Sequence, residues 1–410
     1  MSATAFMSVV TLALLATACS MDDARSPTVV RDSAGVRIIE NSVPAWPEHT
    51  GWRLASEPSV DIGVREGTPP YQLFDVVGAQ RLEDGRIVIA NAGSSELRFF
   101  DADGTHLVSV GGEGGGPGEF TGMMSLTTIP GDSMLVFDWS NQRVTYFDAT
   151  GAMARAVRLE FLPPMGGFPM IVEPFDDGSL LVGVRTYFSS GEYRTGLSRD
   201  EIVYVRATTD GRLIDTLAIR PGGEMHFMTD GNGRILGDRP FGRYPRHAVY
   251  EGGFFAGSSD RYEIDYRRID GRLDHSIRRV RTNMEVTDAD VERYTQERFG
   301  NAADARQRQI SAMLLADDPF PEFFPAYRDI KVDTEGNLWV EQYRLPYQES
   351  GAWWVFDTEH RLLGAVETPI GFHVHQIGSD FVLGVWRDEL DVEYIRIYEI
   401  RKRQGDNREN

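Results

Sequence analysis

Cysteine is almost missing: Cys19 is the only one in 410 residues, which excludes an internal disulfide and any thiolate metal cluster elsewhere in the chain. Positive charge is also scarce. Sixty-two acidic residues face 42 basic ones, for a formal charge of −20, and so acidic a surface repels phosphate backbones, so nucleic acid is not an expected partner. No apolar run reaches the ~20 residues that a membrane-crossing helix needs. What the chain has in quantity is glycine (42) and aromatic residues (22 Phe, 15 Tyr, 7 Trp), a mixture suited to tight turns between short strands with large side chains packed between sheets. The length exceeds one ordinary core, but closed all-β assemblies grow by adding units, so one large domain is the expectation.

The unit is legible between Leu82 and Phe120, where short β-forming runs are divided by turn signals at Asp84-Gly85, Asn91-Ala92-Gly93 and Asp103-Gly104. Leu82 to Ile89 superposes on Ile129 to Val136, and Glu96 to Gly104 on Arg143 to Gly151, at a constant offset of 47 residues. Weaker copies run from Phe175 to Gly211, Tyr250 to Gly271, Asp333 to Asp357 and Gly378 to Glu399. Six copies predict an all-β fold, a six-bladed β-propeller spanning residues 52–401. The lone strand pattern from Trp52 to Gly63 is expected to complete the sixth blade, because pairing the two chain ends removes an exposed edge. Gly104 and Gly151 are expected at positive φ in hairpin turns.

Residues 287–316 break the period. They are rich in helix formers, Thr287 and Asp290 are spaced as a capping pair, and Gly300-Asn301 divides the run, which predicts a helical hairpin inserted between the fourth and fifth blades. The prolines of the following DDPFPEFFPAY stop the helix, and its aromatics need a surface to cover. Because connectors between blades emerge at the faces, the hairpin is expected over one mouth of the central channel. The polar residues 19–51 read as a tether and N-terminal segment that includes the β-like run Val36 to Ile39, and 402–410 as a polar tail.

Residues 5–18 form a short apolar run that closes on Ala16-Thr17-Ala18 immediately before Cys19, which resembles a bacterial lipoprotein signal. That resemblance implies removal of residues 1–18, acylation of Cys19, and an exported protein lipid-anchored at the cell envelope, on the periplasmic or outer-membrane face. The alternatives are a plain secretory signal cleaved beside Cys19 and, last, an uncleaved anchor, for which the run is short of the ~20 apolar residues that span a bilayer. Separately, the block Gly111 to Phe120 (GGEGGGPGEF), followed by a strand and by Asn141-Gln142-Arg143 and Phe147-Asp148, resembles the NHL repeat. The whole chain is similar to bacterial lipoprotein-type six-bladed propellers, a likeness that implies the fold and leaves activity open, since propellers host receptors, lyases and lactonases alike.

No catalytic constellation is readable. The glycine block lacks a following Lys-Ser/Thr and precedes a strand, so it reads as a blade connector and not as a phosphate cradle. His373 and His375 lie two apart on the sixth blade's first strand, where both rings leave one face; a third ligand such as His226 or His247 would make a divalent metal site, against the plainer reading of packing or channel lining. No cofactor is otherwise expected. Resemblance to lactonase-type propellers suggests Asn91, Asp138, Asn141 and Glu341 as calcium ligands, and resemblance to amidating lyases suggests His373, His375, Tyr187, Tyr343 and Arg185. The expected function is binding of a peptide, glycan or protein partner by a monomer through one face, with a metal-using hydrolase or lyase as the alternative. The candidates are Trp139, Arg143, Arg185, Tyr187, Arg243, Tyr244, Arg328, Tyr343, Arg344, His373, His375, Trp386 and Arg387, arginine and aromatic side chains being the usual anchors of binding surfaces.

Overall fold

The computed structural model describes residues 27–47, 50–186, 195–229, 234–299, 305–316, 319–345 and 351–402. Cys19 and Tyr187 lie outside them.

Six antiparallel sheets follow one another along the chain. Blade 1 contains the strands Val76–Arg81, Ile87–Asn91, Glu96–Phe100 and His106–Gly111, and blade 2 repeats the plan from Met123 to Arg158. Blade 3 begins with Phe168–Pro174 and Leu180–Arg185, then runs into a long hairpin, Gly196–Ala207 with Leu213–Thr229, and a fifth strand, Arg234–Asp238. Blade 4 starts at Arg246–Tyr250, blade 5 at Asp329–Val332 and blade 6 at Phe372–Ile377.

The apolar runs in the sequence are continuous because each strand is covered on both faces. Successive residues of one strand enter different cores: Ile87 and Ile89 pack with Leu383 and Val385 of blade 6, whereas Val88 and Ala90 pack with Met134 and Val136 of blade 2. Six such cores, one per blade interface, hold the ring. Side chains also cross between blades at the inner strands. The Arg81 N–H donates to Gln376 Oε1 at 2.7 Å, and the Glu83 N–H to the Asp132 carboxylate at 3.0 Å.

The ring closes through the N-terminal segment. Val60–Ile62 and Arg53–Leu54 both pair antiparallel with Glu393–Arg401, the last strand of the chain, in the register Ile62↔Ile395 and Leu54↔Ile400. The sequence reading placed this strand correctly but missed where the chain goes before it. Thr28–Ser33 and Val36–Asn41 form a hairpin whose second strand lies parallel to Leu273–Arg279, extending blade 4 to six strands. Ala45 and Trp46 then donate to the carbonyls of Leu362 and Leu363 in the outer strand of blade 5 (3.0 and 2.7 Å), and Trp52 enters the core between blades 5 and 6. Residues read as a tether thus include a belt across the rims of three consecutive blades.

The recurrent aromatic-Asp pairs are hairpin closures. Asp101 accepts from the amides of Asp103 and Thr105, Asp148 from Thr150 and Ala152, and Asp357 from Glu359 and Arg361, an Asx-type arrangement that frees the next residues to turn. Gly104 and Gly151 both sit at φ +84°. A Cβ on Gly151 would lie 2.9 Å from the Phe99 ring.

Among the described residues the α-helical pieces are the turn α1 (Leu162–Met165) and the inserted α2 (Asp288–Phe299) and α3 (Ala305–Ala316). Thr287 and Asp290 cap α2 as their spacing indicated, with the Thr287 N–H and hydroxyl donating to Asp290 Oδ2 at 2.9 and 2.6 Å.

Candidate functional site

An antiparallel four-stranded blade sends its tight hairpins to one face of the ring and its second-to-third-strand loops, with the connectors to the next blade, to the other. The insertion belongs to the second face. There Phe241, in the connector between blades 3 and 4, packs against Tyr294 of α2 (centroids 5.0 Å apart) and against Phe324 (4.8 Å), and Phe324 stacks on Tyr343 at 5.6 Å. These are the surfaces that the aromatics after α3 cover. Arginines pin the segment from below: Arg239 Nε donates to the Pro319 carbonyl (2.6 Å), Arg243 to that of Phe323 (3.2 Å) and Arg281 to that of Ala326 (2.8 Å).

Under this segment lies a cavity of about 220 Å³, walled by Phe241, Tyr244, Tyr327 and Tyr343 with the polar groups of Asp238, Arg239, Arg246 and Arg328. Its outer polar side is neutralised. The buried Glu224 carboxylate takes Arg239 at 3.1 Å and Arg243 at 3.2 Å, and Asp260 takes Arg199 at 2.6 Å. Its inner side is not. Arg328 pairs with Glu341 at 3.2 Å, and Arg246 and Arg344 bear on the same carboxylate without reaching ion-pair range. Burial nevertheless holds the Glu341 carboxyl above the usual range, with Asp329 adding to the rise and the arginines opposing it. Asp329 itself faces Lys331 at 3.8 Å. Among the described residues, neither Arg246 nor Arg344 forms a side-chain hydrogen bond or ion pair, and the Arg246 Nε is fully enclosed. Desolvation draws the Tyr244 and Tyr343 hydroxyls well above their ordinary values, so both are neutral hydrogen-bonding groups at any physiological pH.

The histidines of blade 6 adjoin this cluster. Arg328 Nη2 lies 3.4 Å from His373 Nδ1; a guanidinium only donates, so Nδ1 accepts and the ring proton is on Nε2. Burial, then Arg328, Arg387 and Arg344, push His373 down to about 4. Burial and Lys331 push His375 down to about 3, so both rings are neutral. His375 is the extra residue of a β-bulge between Val374 and Gln376, an irregularity repeated in the inner strands of blades 1, 2 and 3 that no periodicity argument foresaw. The ligands considered alongside them are elsewhere: His247 faces Glu173 at 3.3 Å, and His226 is buried in the long blade 3 hairpin. Among the described residues, no three His, Cys, Asp or Glu side chains converge as a metal ion would need.

Several other candidates prove to be structural. Arg143 donates to the carbonyls of Gly115 (3.1 Å) and Glu119 and so clamps the glycine-rich connector. Asn91 accepts from the Phe74 N–H (2.8 Å), and Asp138 from the Thr121 N–H (2.8 Å) and Asn141 (2.7 Å), so each is engaged by its own blade. Arg185 is 6% exposed, with its guanidinium 3.4 Å from the Gly223 carbonyl. Trp386 lies under the Arg396 guanidinium (3.6 Å), and Arg387 pairs with the buried Glu393 at 2.5 Å. Trp139, 40% exposed, packs on Phe168. Among the described candidates the structure therefore gathers Tyr244, Arg328, Tyr343, Arg344 and His373, with Arg243 and His375 adjoining, and engages Trp139, Arg143, Arg185, Trp386 and Arg387 in structural contacts. It adds Arg246, Phe241, Asp238 and Tyr327, whose only sequence signal was their place at blade starts and connectors.

These features define the class, a six-bladed β-propeller with a cavity on the face that carries the inserted helices. A family model described as DUF5128, 6-bladed beta-propeller, matches residues 71–180 and agrees with the fold. Among solved structures, a protein of Bacteroides fragilis labelled as exported is 14% identical, with 89% of this chain and 99% of that one covered and a TM-score of 0.49. A DUF4221 member from Bacteroides vulgatus is 9% identical, covering 87% and 100%, at 0.46. The virginiamycin B lyase of Staphylococcus aureus is 11% identical, covering 85% and 99%, at 0.41. No curated protein matches the chain.

Proposed function

We propose that the protein is an envelope-associated binding propeller, exported and anchored through acylated Cys19, that takes a peptide, glycan or protein ligand on its helix-bearing face at the cavity between blades 4 and 5. The observation that carries this reading is the cavity itself: four aromatic walls and cations in excess of the carboxylates around them, in a chain that is strongly acidic overall. A propeller with no such use for the face would fill the space or pair the charges, as it does around Glu224.

The test is a thermal-shift screen of peptides and glycans on the wild type and on Tyr343→Ala with Arg344→Ala. A ligand that raises the wild-type melting temperature and loses that effect in the double variant supports the site; hits indifferent to the double variant place binding elsewhere and overturn it. Anchoring is checked separately by intact mass. Cys19→Ala should abolish any lipid adduct, and an identical mass increment in the variant would remove the anchor from the proposal.

A further inference from the structure

The electrostatics around Glu341 go beyond the existence of a site and indicate what it holds. Lysine occurs only at 331 and 402, so arginine supplies nearly every cation of this protein. Most of the arginines near the mouth are matched: Arg199 to Asp260, Arg239 and Arg243 to Glu224, and Arg328 to Glu341. Arg246 is the exception that also lines the cavity. It sits at the start of the inner strand of blade 4, its guanidinium lies 5.8 Å from the Tyr244 ring centre, and its Nε has neither solvent nor partner. The enclosed Nε is out of a ligand's reach, but a guanidinium that lines a cavity without an acceptor of its own is costly unless something in that space supplies one to its remaining N–H groups. Arg344, on the loop after the second strand of blade 5, bears on the same Glu341 carboxylate as Arg246 and is likewise without a hydrogen-bond or ion-pair partner among the described residues.

We infer that the cavity takes the carboxylate of a small or chain-terminal ligand, held by Arg246 with Arg344 at the entrance, while the ligand's apolar body lies between Phe241 and Tyr343. This rests on the binding reading above and adds the chemical class. A singly charged planar anion fits better than phosphate for two reasons. Asp238 lines the space and Glu341 stands behind its Arg328 wall, so a dianion would meet their repulsion as well as the cations' attraction. A carboxylate also matches the two parallel N–H groups of one guanidinium edge, whereas a phosphate leaves further oxygens to be satisfied by an aromatic wall.

The probe is 3-phenylpropionate against its uncharged isostere 3-phenylpropionamide, titrated by calorimetry or ligand-observed NMR into the full-length protein at pH 7. The acid should bind at least about tenfold more tightly than the amide, and Arg246→Gln should remove that preference. Arg246→Lys should recover part of it, since charge is kept and the fork lost. Arg361→Gln, on the opposite face and paired with Asp357, should leave it unchanged. Equal affinity for acid and amide, tighter binding of inorganic phosphate than of the acid, or an acid affinity unchanged in folded Arg246→Gln overturns the carboxylate assignment and leaves the cavity reading standing. If neither probe binds and no screened ligand depends on Tyr343 and Arg344, both fail together. The acid-amide comparison on the wild type decides the matter even if Arg246→Gln does not fold.

Discussion

Acid should loosen the joint between the N-terminal belt and blades 4 and 5, through a pair of buried histidines. His275 and His360 stack with centroids 4.5 Å apart, with Tyr266 on the other side of His275 at 5.2 Å and Phe255 edge-on to His360 at 5.6 Å. Asp274, 2.9 Å from His275 Nδ1, is the anion at hand, and Arg37 of the belt lies opposite His275 in the strand register. Burial, then the charges of His275 and Arg37, push His360 down to about 3; burial also lowers His275, partly opposed by Asp274. The sign follows. An unfolded histidine titrates near 6.5, so below that pH the unfolded chain takes up a proton that the native one refuses. The stability is intact above about 6.5 and is lost as pH falls towards 3, at a limiting slope of about 1.4 kcal/mol per pH unit for His360 alone. From pH 6.5, where the slope is half that limit, to 4.5 the loss amounts to about 2.3 kcal/mol, a large share of a stability of typically 5–15 kcal/mol. The assay is urea unfolding at pH 7, 6, 5 and 4.5 for the wild type and His360→Asn, asparagine being chosen because residue 360 has φ +62° and Asn tolerates that region. The variant should be the less stable at pH 7, and the gap should narrow by roughly 1 kcal/mol per unit of acidification. Carboxylate titrations common to both chains cancel in the difference. A gap that does not change with pH would refute the argument, because it would mean that His360 protonates alike in both states.

Asn41 is fully buried and ties the belt to blade 5, its amide donating to the His360 carbonyl and its oxygen accepting from the Leu362 N–H, both at 3.0 Å. Asn41→Ala should cost about 2 kcal/mol in chemical denaturation, because two buried backbone groups lose their partners, and should raise hydrogen exchange first along Thr28–Asn41. Gly151→Val should destabilise by about 1 kcal/mol or more, from the positive φ and the contact with Phe99 together; an unchanged melting temperature would count against the turn assignment. Deleting residues 287–316 should leave strand content by circular dichroism close to wild type, since no blade strand lies among the described residues of the segment, while abolishing ligand-induced thermal shifts. Global unfolding of that deletion would show that the hairpin is part of the scaffold.

Much of the fold was readable because a propeller repeats. The equal spacing of Leu82 to Ile89 and Ile129 to Val136, the glycine turns and the spare strand at Trp52 to Gly63 all record local chemistry that any copy of the unit needs. The helical insertion was readable for the same reason, through Thr287 and Asp290, which cap each other across one turn. The Thr28–Asn41 hairpin was harder. Its pairing partner, Leu273–Arg279, is more than 230 residues away, and a two-stranded ribbon carries no mark of which edge it will join. Among the site candidates, residue type alone proved uninformative: Arg143, Arg185, Arg243 and Arg328 look alike in sequence, yet one clamps a connector, one is buried against a carbonyl and two meet carboxylates. Arg246 attracted no attention because the absence of a partner is a property of space and not of composition.

The sequence by itself determined the repeating unit, its number, the closure of the ring and the position of the helical insertion, because turn geometry and strand alternation act over a few residues. Only the tertiary structure decided which charges find partners and which do not, since carboxylates and guanidinium groups on different blades meet only when the ring brings them together, and the low dielectric of the place where they meet sets the value of each pairing.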